Sequence, residues 1–68
     1  MLDTNTPKLT AKQEKFAQLI VSGISQTEAY RQAYDASNML PETISSNAYK
    51  LAKEHNEVAM RIATLKAQ

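Results

Sequence analysis

The sequence predicts an all-α fold, a small domain of four helices, and three observations carry that prediction. Ten alanines supply much of the apolar content, and alanine is the best intrinsic helix former. One glycine, two prolines and only two valines leave little material for tight turns or strands. Capping signatures also recur along the chain, each followed by apolar residues at helical spacing.

Each helix has its own signal. Residues 1–8 are polar and without period, and read as a flexible lead-in to a domain spanning 9–67. Thr10-Ala-Lys-Gln13 is a capping box, and Phe16, Leu19, Ile20 and Ile24 form one stripe behind it. Gly23 falls where a helix needs a left-handed residue to end, giving a first helix over about 10–22. Ser25-Gln-Thr-Glu28 is a second capping box, with Ile24 placed to staple onto Ala29. Behind it, Ala29, Tyr30, Ala33 and Tyr34 form the stripe of a short helix over about 26–34.

A polar break, Asp35-Ala-Ser-Asn38, precedes Pro41 at a first helical position and Glu42 in the first turn. Ile44, Ala48, Leu51 and Ala52 then define a third helix over about 41–54. Asn56 reads as the cap of a fourth helix over about 57–66, whose stripe is Val58, Ile62 and Leu65. A chain this short buries only about 60% of its unfolded surface, so partner contacts or self-association are expected to matter.

Composition excludes several kinds of chemistry. With no cysteine there is no disulfide framework, thiolate nucleophile or cysteine-based metal site. The run Leu19 to Val21 is far too short for a membrane span, and the N-terminus lacks the regions of a signal peptide. His55 is the sole histidine; Glu54 and Glu57 do not make a helical ligand pair with it, so it reads as a solvated helix-end residue. Glu14, Glu28 and Asp35 lie on different segments and read as caps and surface charge. One glycine cannot make a glycine-rich phosphate loop. A non-enzymatic protein without cofactor or metal is the expectation.

What remains is recognition. A short capped helix, a turn and a longer helix is the outline of a helix-turn-helix, whose second helix can enter a DNA major groove. Opposite its core stripe, the third helix carries Glu42, Ser46, Tyr49, Lys50 and Lys53, flanked by Ser45 and Asn47. Serine, asparagine and lysine bond base edges or phosphates, and tyrosine packs on sugar or donates to phosphate. Tyr30 and Tyr34 suggest a base-stacking platform as one reading and helix packing as another. The net charge is only +1, so one copy is expected to bind weakly and to need several copies on one duplex.

Leu9-Thr-Ala-Lys-Gln-Glu-Lys-Phe16 resembles the start of the small subunits of bacteriophage terminases, the DNA-packaging enzymes. Gly23-Ile-Ser-Gln-Thr-Glu-Ala-Tyr-Arg-Gln-Ala-Tyr34 is similar to that family's second-helix segment. Asn38-Met-Leu-Pro-Glu-Thr-Ile44, with Asn47-Ala-Tyr-Lys-Leu51, resembles its turn and third helix, and Val58-Ala-Met-Arg-Ile62 with Leu65 its closing helix. The resemblance implies a domain that recognises the packaging-initiation site on double-stranded viral DNA in the cytoplasm of an infected bacterium. It implies a homo-oligomer and a large ATPase and nuclease subunit as partners, met through regions beyond the segment resembled here. Carried over, Ser45, Ser46, Asn47, Tyr49, Lys50 and Lys53 occupy the recognition helix, and Arg31 reaches phosphate from the helix before it.

Two other classes fit the same residues. One is a helix-turn-helix transcription regulator or recombinase accessory domain. The other is a helical protein-interaction module docking through exposed Leu2, Met39, Leu40 and Met60. Lys8, Lys12 and Lys15 at the first helix offer an alternative basic surface.

Overall fold

A computed structural model describes residues 9–68, and the lead-in 1–8, with Leu2 and Lys8, lies outside the described residues. Four helices follow in order: α1 Ala11–Val21, α2 Gln26–Ala33, α3 Pro41–Lys53 and α4 Asn56–Lys66. No strand occurs among the described residues. The domain is all-α. Each helix packs against two others, α1 on α2 and α4, and α3 on α2 and α4, so the packing order is cyclic.

Local chemistry sets the helix ends. The Thr10 hydroxyl accepts from the Gln13 amide at 3.1 Å while Gln13 Oε1 accepts from the Thr10 amide at 3.0 Å, completing the first capping box. At its other end α1 closes in a Schellman motif: the Ile24 amide donates to the Leu19 carbonyl and the Gly23 amide to the Ile20 carbonyl, both at 3.1 Å. Gly23 has φ +106°, a conformation L side chains rarely adopt, which explains the placement of the single glycine.

The second box forms only in half. Ser25 Oγ accepts from the Glu28 amide, but the Glu28 carboxylate turns along the helix to accept from Gln32 instead of reaching back. Tyr34 also departs from expectation, because it caps α2 in an extended conformation rather than continuing its stripe.

The link from Tyr34 to Leu40 is more ordered than its polar composition suggests. Asp35 Oδ1 accepts from the Ser37 amide and hydroxyl, and the Met39 amide donates to the Ala36 carbonyl. These bonds turn the chain so that Ala36 is buried and Met39 half-buried, which leaves Met39 less open to a partner than the protein-interaction alternative expects. The Ser37 bonds also hold the Asp35 carboxyl below its ordinary range. Pro41 takes the first position of α3, where its missing amide proton costs nothing.

Asn56 is not the cap of α4. His55 is: its Nδ1 accepts from the Val58 amide at 3.4 Å, and Asn56 becomes the first helical residue. The half-buried imidazole also meets the Gln13 side chain on α1, at 3.5 Å, so it is not simply solvated.

Phe16, Ile44 and Val58 are the largest side chains fully removed from water, each contributing on the order of 1.5–3 kcal/mol by burial. Around Phe16 and Val58 lie the small residues Ala17, Ala29, Ala33, Ala48 and Ala52, with Ile62 completing the cluster. Leu9, Leu19, Ile20, Ile24, Leu51 and Leu65 cover its edges. Glu14, expected as surface charge, instead closes the bundle. Arg61 of α4 holds it with two nitrogens, Nε at 2.9 Å and Nη2 at 2.8 Å, both side chains partly shielded from solvent. The Arg61 hydrogen bond draws the Glu14 carboxyl below its ordinary range.

Replacing Ile44 by alanine is expected to cost about 2–4 kcal/mol in urea unfolding, as for other buried aliphatic truncations. Glu14→Gln gives a pH signature. A carboxylate depressed in the folded state stabilises it above the unfolded value, about 4.5 for glutamate, and that stability is lost as pH falls through the folded value. The stability gap between wild type and Glu14→Gln is therefore expected to be constant near neutrality and to close below pH 4.5. A gap independent of pH would show that the ionised pair does not stabilise the bundle.

Candidate nucleic-acid interface

The third helix owes its outward face to the stripe that binds it to the others. Ile44, Ala48 and Ala52 turn inward, and Ser45, Ser46, Tyr49, Lys50 and Lys53 are exposed, with Asn47 half-buried. Tyr49 keeps 52% of its surface in solvent, large for an aromatic ring with no role in the core. Among the described residues the one ion pair is Glu14 with Arg61, so Lys50, Lys53 and Arg31 have no carboxylate partner there.

The predicted residues do not form one cluster. Ser46, Tyr49 and Lys53 share the outer side of α3. Ser45 leans towards α2, its hydroxyl 3.4 Å from that of Thr27. Asn47 and Lys50 belong to a different stripe. With Leu51 and Glu54 they recur at i, i+3, i+4 and i+7 and line one wall of a cleft of about 370 Å³. Tyr30 of α2 and Tyr34 at its C-cap line the cleft too, and His55 lies at the α4 end. Arg31 is exposed on α2 and borders a separate depression with Tyr34, Asp35, Ala36 and Ser37.

The tyrosines both pack and line. Their rings stack at 4.6 Å and 19°, and Tyr30 meets Phe16 edge-on at 6.4 Å and 81°, which ties the cleft wall to the core. Lys12 of α1 places its ammonium 5.9 Å from the centre of the Tyr34 ring. Burial, and then the neighbouring Tyr30, push the Tyr34 phenol above its ordinary value. Asn47, Lys50 and Arg31 came from residue type and helical face alone. The cleft's other residues carried a signal as well, the i, i+4 pairing of Tyr30 with Tyr34. Only the crossing of two helices brings that pair opposite Asn47 and Lys50.

No three His, Asp or Glu side chains converge to hold a metal among the described residues. No helix there is long and apolar enough to cross a membrane.

The chain is similar to an uncharacterized protein of Haemophilus influenzae, 41% identical over 58 residues, which is 85% of this chain and 34% of that protein. The chain thus spans about a third of the length of the curated relative it matches. No family model and no solved structure matches it.

The His55 cap supplies a direct check. His55→Ala leaves the Val58 amide without its side-chain acceptor and is expected to cost about 0.5–2 kcal/mol in thermal unfolding. His55→Asn, which keeps a cap acceptor, is expected to retain most of that stability, and equal losses in the two variants would deny the cap its role.

Proposed function

We propose that this domain binds double-stranded DNA through α3 and is the DNA-recognition part of a bacteriophage terminase small subunit. The observation that carries the reading is the outer side of α3, where Ser46, Tyr49 and Lys53 stand in solvent with Lys50 exposed on the adjoining stripe, neither lysine having a carboxylate partner among the described residues. The sequence resemblance to terminase small subunits, from Leu9 to the last helix, supports the specific assignment. In this reading the other three helices hold α3 rigid, and its hydroxyl, amide and ammonium groups meet base edges and phosphates. The domain carries no chemistry of its own. It selects the packaging-initiation site in the infected host's cytoplasm, several copies act together, and DNA passes to a large subunit that cuts and translocates it.

Weak single-copy binding is part of the proposal. Lys50 and Lys53 are offset by Glu42 in the first turn of α3 and Glu54 at its C-cap, so this face is near neutral and affinity has to come from copies held on one duplex. Arg31, at the edge of α2, is assigned to a phosphate flanking the groove.

Anisotropy of a labelled duplex at two salt concentrations tests this reading. Lys50→Ala with Lys53→Ala is expected to weaken binding to all sequences alike and to reduce the salt slope by about two, near one per lost phosphate contact. Unchanged binding by the double variant would place the interface elsewhere, with Lys12 and Lys15 on α1 the next surface to test. An absence of salt-sensitive binding by wild type would instead favour a helical adaptor, docking through Leu40 and Met60, which are 65% and 50% exposed.

A further inference from the structure

The cleft between α2 and α3 is not needed to present α3 to a duplex, yet it is built from specific parts. Its volume, about 370 Å³, lies at the lower end of the range that small-molecule sites occupy, about 300–1,000 Å³. Its apolar lining is Tyr30, stacked on Tyr34, together with Leu51. Polar groups sit at the borders. Asn47 offers an amide that both donates and accepts, Glu54 accepts, and Lys50 supplies a cation.

That combination matches a nucleotide. A base has an apolar planar face, an edge of mixed donors and acceptors, and an anionic phosphate a few ångströms away. Lys50 and Glu54 line the cleft as one ammonium and one carboxylate, and Lys12 lies over the Tyr34 ring with Asp35 also near it. The Asn47 amide and the Lys50 ammonium beside an apolar wall suit a base with its phosphate better than an apolar peptide. Glu54 complements the exocyclic amine of a base such as cytosine.

We propose that this cleft is a binding site for one unpaired nucleotide, with the base against Tyr30, Tyr34 and Leu51, its edge at Asn47 and Glu54, and its phosphate at Lys50. The inference rests on the reading that α3 meets DNA, and it adds that a base leaving the stack beside α3 has a place to go. Base contact with an aromatic side chain is sequence-tolerant, so the cleft adds affinity for single-stranded or opened DNA without defining a site by itself.

The experiment compares labelled (dC)₈ with a blunt 16-base-pair duplex, using anisotropy and amide chemical-shift mapping on the same protein. (dC)₈ is expected to shift the amides of Tyr30, Tyr34, Asn47 and Leu51. Tyr34→Leu is expected to weaken (dC)₈ about tenfold while leaving the duplex within about twofold, and Tyr34→Phe to restore (dC)₈. Circular dichroism establishes that both variants fold, and if Tyr34→Leu does not, the wild-type shift map decides. Duplex binding without (dC)₈ binding, or (dC)₈ shifts confined to Ser46, Tyr49 and Lys53, overturns the nucleotide site and leaves the duplex reading intact. Loss of both activities from the wild type overturns both. A helical peptide with leucines at i and i+4 that moves the cleft amides where (dC)₈ does not would assign the cleft to protein docking and overturn the inference.

Discussion

Phe16 is wholly buried, and the packing of small residues around it sets the geometry of everything else. A chain of this length has few large apolar side chains, so its core is one phenylalanine and three aliphatic residues, Ile44, Val58 and Ile62, among alanines. Alanine lets helix backbones approach closely and loses almost no side-chain entropy on burial. Close approach makes the domain narrow, and a narrow domain leaves most of each helix outside. The polar face of α3 is thus a by-product of how the core is built. Tyr30 extends the same logic outward, because the ring that meets Phe16 edge-on also forms the wall of the α2–α3 cleft.

Much of the fold was legible because it depends on neighbours in sequence. Thr10 with Gln13, Gly23 after α1 and Pro41 at the start of α3 each act over three or four residues, and their chemistry is visible in residue type. The inward stripe of α3 was legible for a related reason, since helical period alone separates Ile44, Ala48 and Ala52 from Ser46, Tyr49 and Lys53.

What stayed hidden depends on which helices meet. Glu14 and Arg61 lie 47 residues apart, and nothing local marks either as a partner of the other. Ala17 and Ala36 are buried, but alanine carries too little hydrophobic signal to reveal it, and Ala36 sits inside a polar break. The choice of His55 over Asn56 as cap follows the same rule. Both offer an acceptor, but His55 is also beside Gln13 of α1, which local sequence cannot display. The cleft was half legible: Asn47 and Lys50 as outward polar residues, Tyr30 and Tyr34 as a helical pair, but not their meeting.

The cyclic packing order has a consequence for modular use of this domain. Since α1 touches α4 as well as α2, no helix is an edge that can be trimmed, and removing any one strips cover from two others. The core is complete only when all four helices are present. A nascent chain cannot finish its core before α4 has left the ribosome, because Val58 and Ile62 are part of the cluster that surrounds Phe16. A longer polypeptide carrying this module would have to join it at the flanks, before Leu9 or after Lys66, where an attachment leaves the ring of helices unbroken.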